Sequence, residues 1–74
     1  MTDEQIRHNI RQALIKCRAE KGYSQQDVAS ITGKSLNAVG SWEQGLSLPN
    51  LPTLYKLSLI YGKSLEYFFE GKNE

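Results

Sequence analysis

Four glycines divide the chain into short segments whose apolar residues recur at helical spacing. A glycine after such a segment commonly ends a helix in the left-handed conformation, and a serine or asparagine soon afterwards caps the next helix. These pairs are Gly22 with Ser24, Gly33 with Ser35, Gly45 with Asn50, and Gly62 with Ser64. The pattern predicts helices at approximately Asp3–Lys21, Gln25–Thr32, Leu36–Gln44, Leu51–Tyr61 and Leu65–Glu70, followed by a polar tail at 71–74. No segment is typical of a strand, so we expect an all-α fold of five helices.

The composition limits the kind of protein this can be. Its 74 residues suit one domain with one small core, spanning 1–74. The longest apolar-rich run, near Leu57–Tyr61, is much shorter than the roughly 20 residues that cross a bilayer. The N-terminus is acidic and lacks the apolar stretch of a signal peptide, and Cys17 has no second cysteine to pair with. We therefore expect a cytoplasmic protein without membrane contact.

Catalytic and metal chemistry have few candidate residues. The only histidine, His8, and the only cysteine, Cys17, are nine residues apart on one predicted helix. Such a pair supplies neither a metal cluster nor a catalytic triad. We expect no enzyme activity, no cofactor and no metal, and we interpret His8 as a solvated helix residue and Cys17 as a small core residue.

Residues 25–44 have the pattern of a helix-turn-helix. Gly33 joins two short predicted helices, and apolar residues such as Val28, Val39 and Trp42 give each helix one inward face. In this motif the second helix lies in the major groove of DNA. The net charge of only +1 gives this interpretation no support, so it rests on geometry and on where the charges lie.

The second helix of the motif, at 36–44, divides into two faces. Ala38, Val39 and Trp42 face inward, while the outward face is uncharged and rich in small, hydroxyl and amide side chains. That outward face comprises Leu36, Asn37, Gly40, Ser41 and Gln44. An asparagine can pair bidentately with adenine, a serine can bond to most base edges, and a leucine can contact a thymine methyl. We predict base contacts from Leu36, Asn37, Gly40 and Ser41.

Gly40 allows two interpretations. Glycine inside a helix costs about 1 kcal/mol relative to alanine, and close approach of the helix backbone to DNA is one reason to tolerate it. The alternative is that this glycine has no role.

The predicted contacts to the DNA backbone flank the same helix. They are Ser24, Gln25, Lys34, Ser35 and Gln44. The N-terminus of the helix at 25–32 adds free N–H groups and a positive dipole end, which can bind a phosphate. For each of these groups the alternative is a solvated surface position. Gln25 is also placed to brace a residue of the following helix.

The tripeptide Gly-Lys-Ser occurs at 33–35 and at 62–64, and it resembles the end of a phosphate-binding loop. That motif needs another glycine five residues earlier and a preceding strand. The positions in question hold Val28 and Leu57. Both copies are therefore better explained as a helix-ending glycine followed by a capping serine.

Taken together, residues 14–69 resemble the Cro/C1-type helix-turn-helix family of phage repressors, also called the xenobiotic-response-element family. The resemblance is carried by the segment at 14–29, by S-W-E-Q-G at 41–45, by Pro49-Asn50, by L-x-x-L-S at 54–58 and by S-L-E-Y-F-F at 64–69. It implies a five-helix, lambda-repressor-like DNA-binding domain with a buried ion pair between Arg18 and Glu43. It also implies base contacts at 36, 37, 40 and 41 and a phosphate contact at Gln25.

Two departures from the family pattern bear on affinity. Many relatives have polar or basic residues at the positions of Leu36 and Gly40, and the loop that holds Leu46 and Leu48 often carries basic residues in the family. With few phosphate contacts, we expect modest affinity and a specificity that depends on Asn37.

The end of the chain has more apolar residues than one core stripe needs. Leu54, Leu57, Tyr61, Leu65 and Phe68 form that stripe. The remaining residues are Tyr55, Leu59, Ile60, Tyr67 and Phe69, which we predict to form a dimer interface. The resemblance implies a two-fold dimer, which places two recognition helices about 34 Å apart. The alternative is that some of the five fold back over the core.

These observations predict a sequence-specific DNA-binding transcriptional regulator, and specifically a repressor. It would bind double-stranded DNA as a homodimer on a palindromic operator. The alternative is a protein-interaction module, such as an antitoxin or an antirepressor-like regulator, which the weak basicity and the leucines at 36, 46 and 48 favour.

Overall fold

The computed structural model describes residues 1–71, and in that range the chain forms five α-helices and no strand. Their bounds are α1 Asp3–Lys21, α2 Gln25–Thr32, α3 Leu36–Gln44, α4 Leu51–Tyr61 and α5 Leu65–Glu70. All five predicted helices are confirmed with these bounds. Of the predicted polar tail, residues 72–74 lie outside the described range.

Local capping contacts explain why the bounds follow so directly from the sequence. Thr2 and Gln5 form a reciprocal capping box at the start of α1. Gly33 ends α2 at φ 70°, and the Ser35 hydroxyl then accepts a hydrogen bond from the Ala38 N–H at 3.0 Å. The Gly-Lys-Ser tripeptide at 33–35 is thus a helix stop followed by a helix cap, and the copy at 62–64 has the same structure.

The core lies along one side of α1, against which α3, α4 and α5 pack, while α2 packs on α3 and α4. The inward residues predicted on α3, Val39 and Trp42, are buried. The predicted stripe of α4 and α5 is also buried, except that Leu65 is only partly covered. The complete buried apolar set is Ile10, Ala13, Leu14, Cys17, Val28, Ala29, Val39, Trp42, Leu54, Leu57, Tyr61 and Phe68. Burial raises the pKa of the Cys17 thiol, as expected of a small core residue.

The five apolar residues predicted to form a dimer interface do not share one surface. Tyr55 is 54% exposed and Leu59 is 63% exposed, whereas Ile60, Tyr67 and Phe69 pack against the core. These last three are therefore not the exposed surface that was predicted, because α5 turns Tyr67 and Phe69 back onto the bundle and Ile60 of α4 packs against the same core. Leu51, which is 66% exposed, instead joins Tyr55 and Leu59 at four-residue spacing along α4.

Candidate nucleic-acid interface

The N-terminal half of α3 presents an exposed, uncharged surface. Ser35 caps the helix, and Leu36 and Asn37 in the first turn are exposed, with Leu36 at 46%. Val39 and Trp42 on the opposite face anchor the helix in the core. The Asn37 amide has no hydrogen bond within residues 1–71, so both of its donors and its acceptor are available to a ligand.

Gly40 is not on this exposed surface. It is buried, and a Cβ on it would lie 3.7 Å from Gln25 Oε1 and 3.8 Å from Gln44 Nε2. The prediction that Gly40 faces outward is therefore corrected. The helical spacing was right, but a glutamine from α2 and one from the next turn of α3 extend over its backbone.

Gly40→Ala is expected to raise the free energy of unfolding by up to about 1 kcal/mol, because the contacts of the new methyl are ordinary and alanine is the better helix former. Operator affinity should change little, since the methyl lies beneath two amides. Urea denaturation and DNA titration measure the two effects. Gly33→Ala is the control: its new methyl would meet no other atom within 4 Å, but Gly33 has a φ of 70°, so the substitution should destabilise the fold. If Gly40→Ala is more stable but no longer binds the operator, then close approach of the helix backbone to DNA explains the glycine at this position.

Ser41 links the recognition helix to the loop after it. Its hydroxyl lies 2.8 Å from the Ser47 hydroxyl, and its carbonyl accepts the Leu46 N–H at 3.0 Å. The side chain is half-buried. Since one hydroxyl in the pair donates to the other, Ser41 is oriented by the loop before any base approaches it.

The predicted backbone contacts surround α3. Ser24, Lys34, Ser35 and Gln44 are exposed. Gln25 is half-buried, and its Nε2 donates to Glu43 Oε1 at 3.1 Å. Gln25 therefore braces α3 as expected, and one N–H of its amide remains available.

The two helix N-termini of the motif differ in charge. At α2, the Asp27 carboxylate accepts the Ser24 N–H at 2.8 Å, which places a negative charge where we expected a phosphate to bind. The first turn of α3 contains no acidic residue, and Lys34 lies just before it. The N-terminus of α3 is thus the better anion site of the two.

A network of hydrogen bonds converges on Glu43 at the end of α3. Arg18 donates from Nε to Oε2 at 2.7 Å and from Nη2 to Oε1 at 3.0 Å, and from Nη1 to the Tyr23 carbonyl at 2.9 Å. The Glu43 side chain is only 9% exposed, and that of Arg18 is 21% exposed. The hydrogen bond to Glu43 raises the pKa of the Arg18 guanidinium. The Arg18–Glu43 pair thereby joins α1, the turn after it and α3, and the Gln25 amide links α2 to the same carboxylate.

Arg11 is a residue that the sequence did not single out. Its Nε donates to the Glu43 carbonyl at 2.8 Å and so caps the C-terminus of α3. It lies seven residues, or about two helical turns, before Arg18, on the same side of α1. That spacing is a usable signal in the sequence, although Arg11 lies before residue 14, where the family resemblance begins.

The electrostatics of this surface are weak. Between Val28 and Tyr55 the only charged residues are Lys34 and Glu43, and Arg18 neutralises Glu43.

Over the described part of the chain, no three His, Cys, Asp or Glu side chains are grouped to hold a metal ion. None of the helices within 1–71 has the length and apolarity needed to cross a membrane.

Comparisons with known proteins agree with this geometry. A family model described as helix-turn-helix matches residues 14–68. The SPbeta prophage-derived HTH-type transcriptional regulator YonR of Bacillus subtilis is 45% identical over 58 residues, which cover 78% of this chain and 54% of that protein. The HTH-type transcriptional regulator PuuR of Escherichia coli is 36% identical over 69 residues, covering 93% of this chain and 36% of that protein. No solved structure matches the chain significantly.

These relatives are longer than the region they share with this chain, which spans about half of YonR and about a third of PuuR. The shared region contains the helix-turn-helix and the helices that pack on it. The chain belongs to the Cro/C1-type helix-turn-helix family of DNA-binding transcriptional regulators.

Proposed function

We propose that this chain is a sequence-specific repressor that binds a palindromic operator as a homodimer and reads the major groove with α3. The observation that carries the proposal is the exposed first turn of α3, where Leu36 and Asn37 face outward from a helix anchored in the core. An amide at this position suits adenine, and an adjacent leucine suits a thymine methyl. Occupation of an operator is sufficient for repression, because it blocks access of other proteins to that DNA.

Specificity rather than charge would dominate this interaction. The exposed polar groups around α3 are mainly amides and hydroxyls, and Lys34 is the nearest lysine in the sequence. Because neutral amides and hydroxyls release no counterions, one phosphate neutralised by Lys34 in each of two half-sites gives a slope of log affinity against log salt of about −2. Lys34, Gln25, Gln44 and the N-terminus of α3 are the groups we assign to phosphate contacts, with Ser24 and Ser35 beside them.

The dimer face we propose is the exposed stripe of α4 formed by Leu51, Tyr55 and Leu59. These three residues are 66%, 54% and 63% exposed, respectively, and they follow one another at four-residue spacing. Apolar stripes of this kind mark protein interfaces. A two-fold axis beside α4 lets the two copies of α3 enter successive major grooves about 34 Å apart.

Selection of duplexes from a random pool, followed by sedimentation at micromolar concentration, tests the proposal. We expect an inverted repeat whose half-site centres are about one helical turn apart, and a dimer whose formation is favoured by that duplex. Recovery of no preferred sequence would contradict sequence-specific binding. A chain that stays monomeric on the selected duplex would contradict the dimer alone.

A second candidate, a protein-interaction module, is favoured by exposed leucines near the same surface. Leu46 is 74% exposed and Leu36 is 46% exposed. The two candidates separate in vivo: if a variant that no longer binds DNA keeps its regulatory effect, a protein partner is the target.

A further inference from the structure

Arg11 is fixed at the C-terminal end of the recognition helix but keeps most of its hydrogen-bonding capacity. Its Nε donates to the Glu43 carbonyl at 2.8 Å, and its Cδ lies 3.3 Å from where a Cβ on Gly45 would be. Within residues 1–71, neither Nη1 nor Nη2 of Arg11 has a hydrogen bond and no carboxylate forms an ion pair with it. The side chain is half-buried, so its direction is set by the protein.

The length of α3 determines what lies near its two ends on DNA. Nine residues span about 13 Å, whereas the major groove is about 12 Å wide. With the first turn of α3 at the base edges, the C-terminal end of the helix therefore extends to the border of the groove, close to a phosphate backbone. Lys34 is the cation at the N-terminal end, and Arg11 is the cation that contacts the C-terminal end.

The C-terminal end needs a cation for a second reason. The helix dipole places partial negative charge there, which repels a phosphate unless it is compensated. The loop at 45–50 contains no charged residue, and the Glu43 carboxylate adds a negative charge that Arg18 already engages. Arg11 covers the Glu43 carbonyl and presents an unpaired guanidinium edge in the same place.

We propose that Arg11 binds a backbone phosphate at the edge of the major groove through Nη1 and Nη2, while its Nε holds the end of α3. This inference rests on the proposed DNA-binding function and adds a phosphate contact from α1, outside the helix-turn-helix. A guanidinium held at Nε keeps two parallel donors, which match two phosphate oxygens. Arg11 thereby supplies, at the C-terminal end of α3, the positive charge that the loop at 45–50 does not contain.

Arg11→Gln is the sharpest test, because the glutamine Nε2 occupies the position of the arginine Nε. It can keep the bond to the Glu43 carbonyl while removing the charge and both terminal nitrogens. On the selected operator, we expect the salt slope to become shallower by about 0.9 per half-site, or about 1.8 for the dimer. If the two affinities converge at 1 M salt, that difference corresponds to about a 60-fold loss of affinity at 0.1 M.

Arg7→Gln is the matched control, since it removes the same charge one turn earlier on α1 from an exposed residue. Arg7→Gln should leave the salt slope unchanged. Arg11→Lys keeps the positive charge, so it should keep most of the wild-type slope. A folded Arg11→Gln chain with the wild-type slope overturns the inference while leaving the proposed function intact. Failure of the wild-type chain to bind any duplex overturns both.

Neutral methylphosphonate linkages in the operator give a readout that does not depend on how Arg11→Gln folds. We expect one linkage per half-site, at the groove edge, whose replacement weakens binding by the wild-type chain and by Arg11→Lys but not by Arg11→Gln. If Arg11→Gln is unfolded, the test uses the wild-type chain and Arg11→Lys, each titrated with operators that carry a methylphosphonate at one linkage. If no linkage beside the C-terminal end of α3 weakens binding when it is replaced, the inference is overturned.

Discussion

Replacing Arg18 with alanine is expected to lower the free energy of unfolding by about 3 kcal/mol. Among residues 1–71, the substitution leaves the Glu43 carboxylate, which is 9% exposed, with the Gln25 amide as its one remaining partner, and it leaves the Tyr23 carbonyl without its Arg18 donor. This value is at the lower end of the roughly 3–5 kcal/mol lost when one partner of a buried ion pair is removed, because the Arg18 side chain retains 21% exposure. For a domain of this size, the loss corresponds to a decrease in Tm of about 15 °C.

Thermal unfolding followed by circular dichroism measures this effect. Arg7→Ala, which removes an exposed arginine from the same helix, should melt close to the wild type. Replacing Arg18 and Glu43 together with methionine should recover part of the loss, because no uncompensated charge then remains. If Arg18→Ala melts like the wild type, the ion pair does not stabilise the fold.

Asn37→Ala is expected to reduce discrimination between the operator and a scrambled duplex by about 1–3 kcal/mol per half-site. Stability should hold or rise slightly, because Asn37 is exposed and alanine has the higher helix propensity. The salt slope should not change, since an amide contacting a base releases no counterion. Fluorescence anisotropy with both duplexes at several salt concentrations measures all three quantities.

Lys34→Gln provides the opposite pattern for comparison. It should weaken binding to both duplexes alike and make the salt slope shallower, because a phosphate contact carries no sequence information. If Asn37→Ala keeps the wild-type ratio of operator to scrambled affinity, then Asn37 does not read a base, and the specificity must come from other residues.

The helices were predictable because the signals that delimit them are local. A helix begins where a side chain such as Ser24 accepts an N–H three residues ahead, and it ends where a glycine such as Gly22 takes positive φ. Both signals lie within a few residues of sequence. Helical periodicity likewise assigned Val39 and Trp42 to the core, because each helix here has one buried face.

The errors arose where one helix determines the surroundings of another. Gly40 is covered by the Gln25 side chain, which is fifteen residues away, and helical spacing on α3 alone contains no information about α2. Similarly, Tyr67 and Phe69 pack on the core because α5 lies against α1, whereas Tyr55 and Leu59 remain exposed. Helical spacing gives the face of a helix but not what covers that face.

Arg11 and Ser47 were missed for a related reason. Arg11 reaches the Glu43 carbonyl across 32 positions of sequence, and Ser47 meets Ser41 only because the loop folds back over the end of α3. Both contacts are made to an element whose position depends on the tertiary fold. The Arg18–Glu43 pair is also distant in sequence, at 25 positions, and only the family resemblance pointed to it.

The most direct test of the central claim is chemical-shift mapping of the amide groups during titration with the selected duplex. We expect the backbone amides of Leu36 and Asn37 and the Asn37 side-chain amide to shift most, with smaller changes at Ser41 and Lys34. If those signals stay in place while another surface responds, such as the exposed stripe of α4, then α3 does not read DNA.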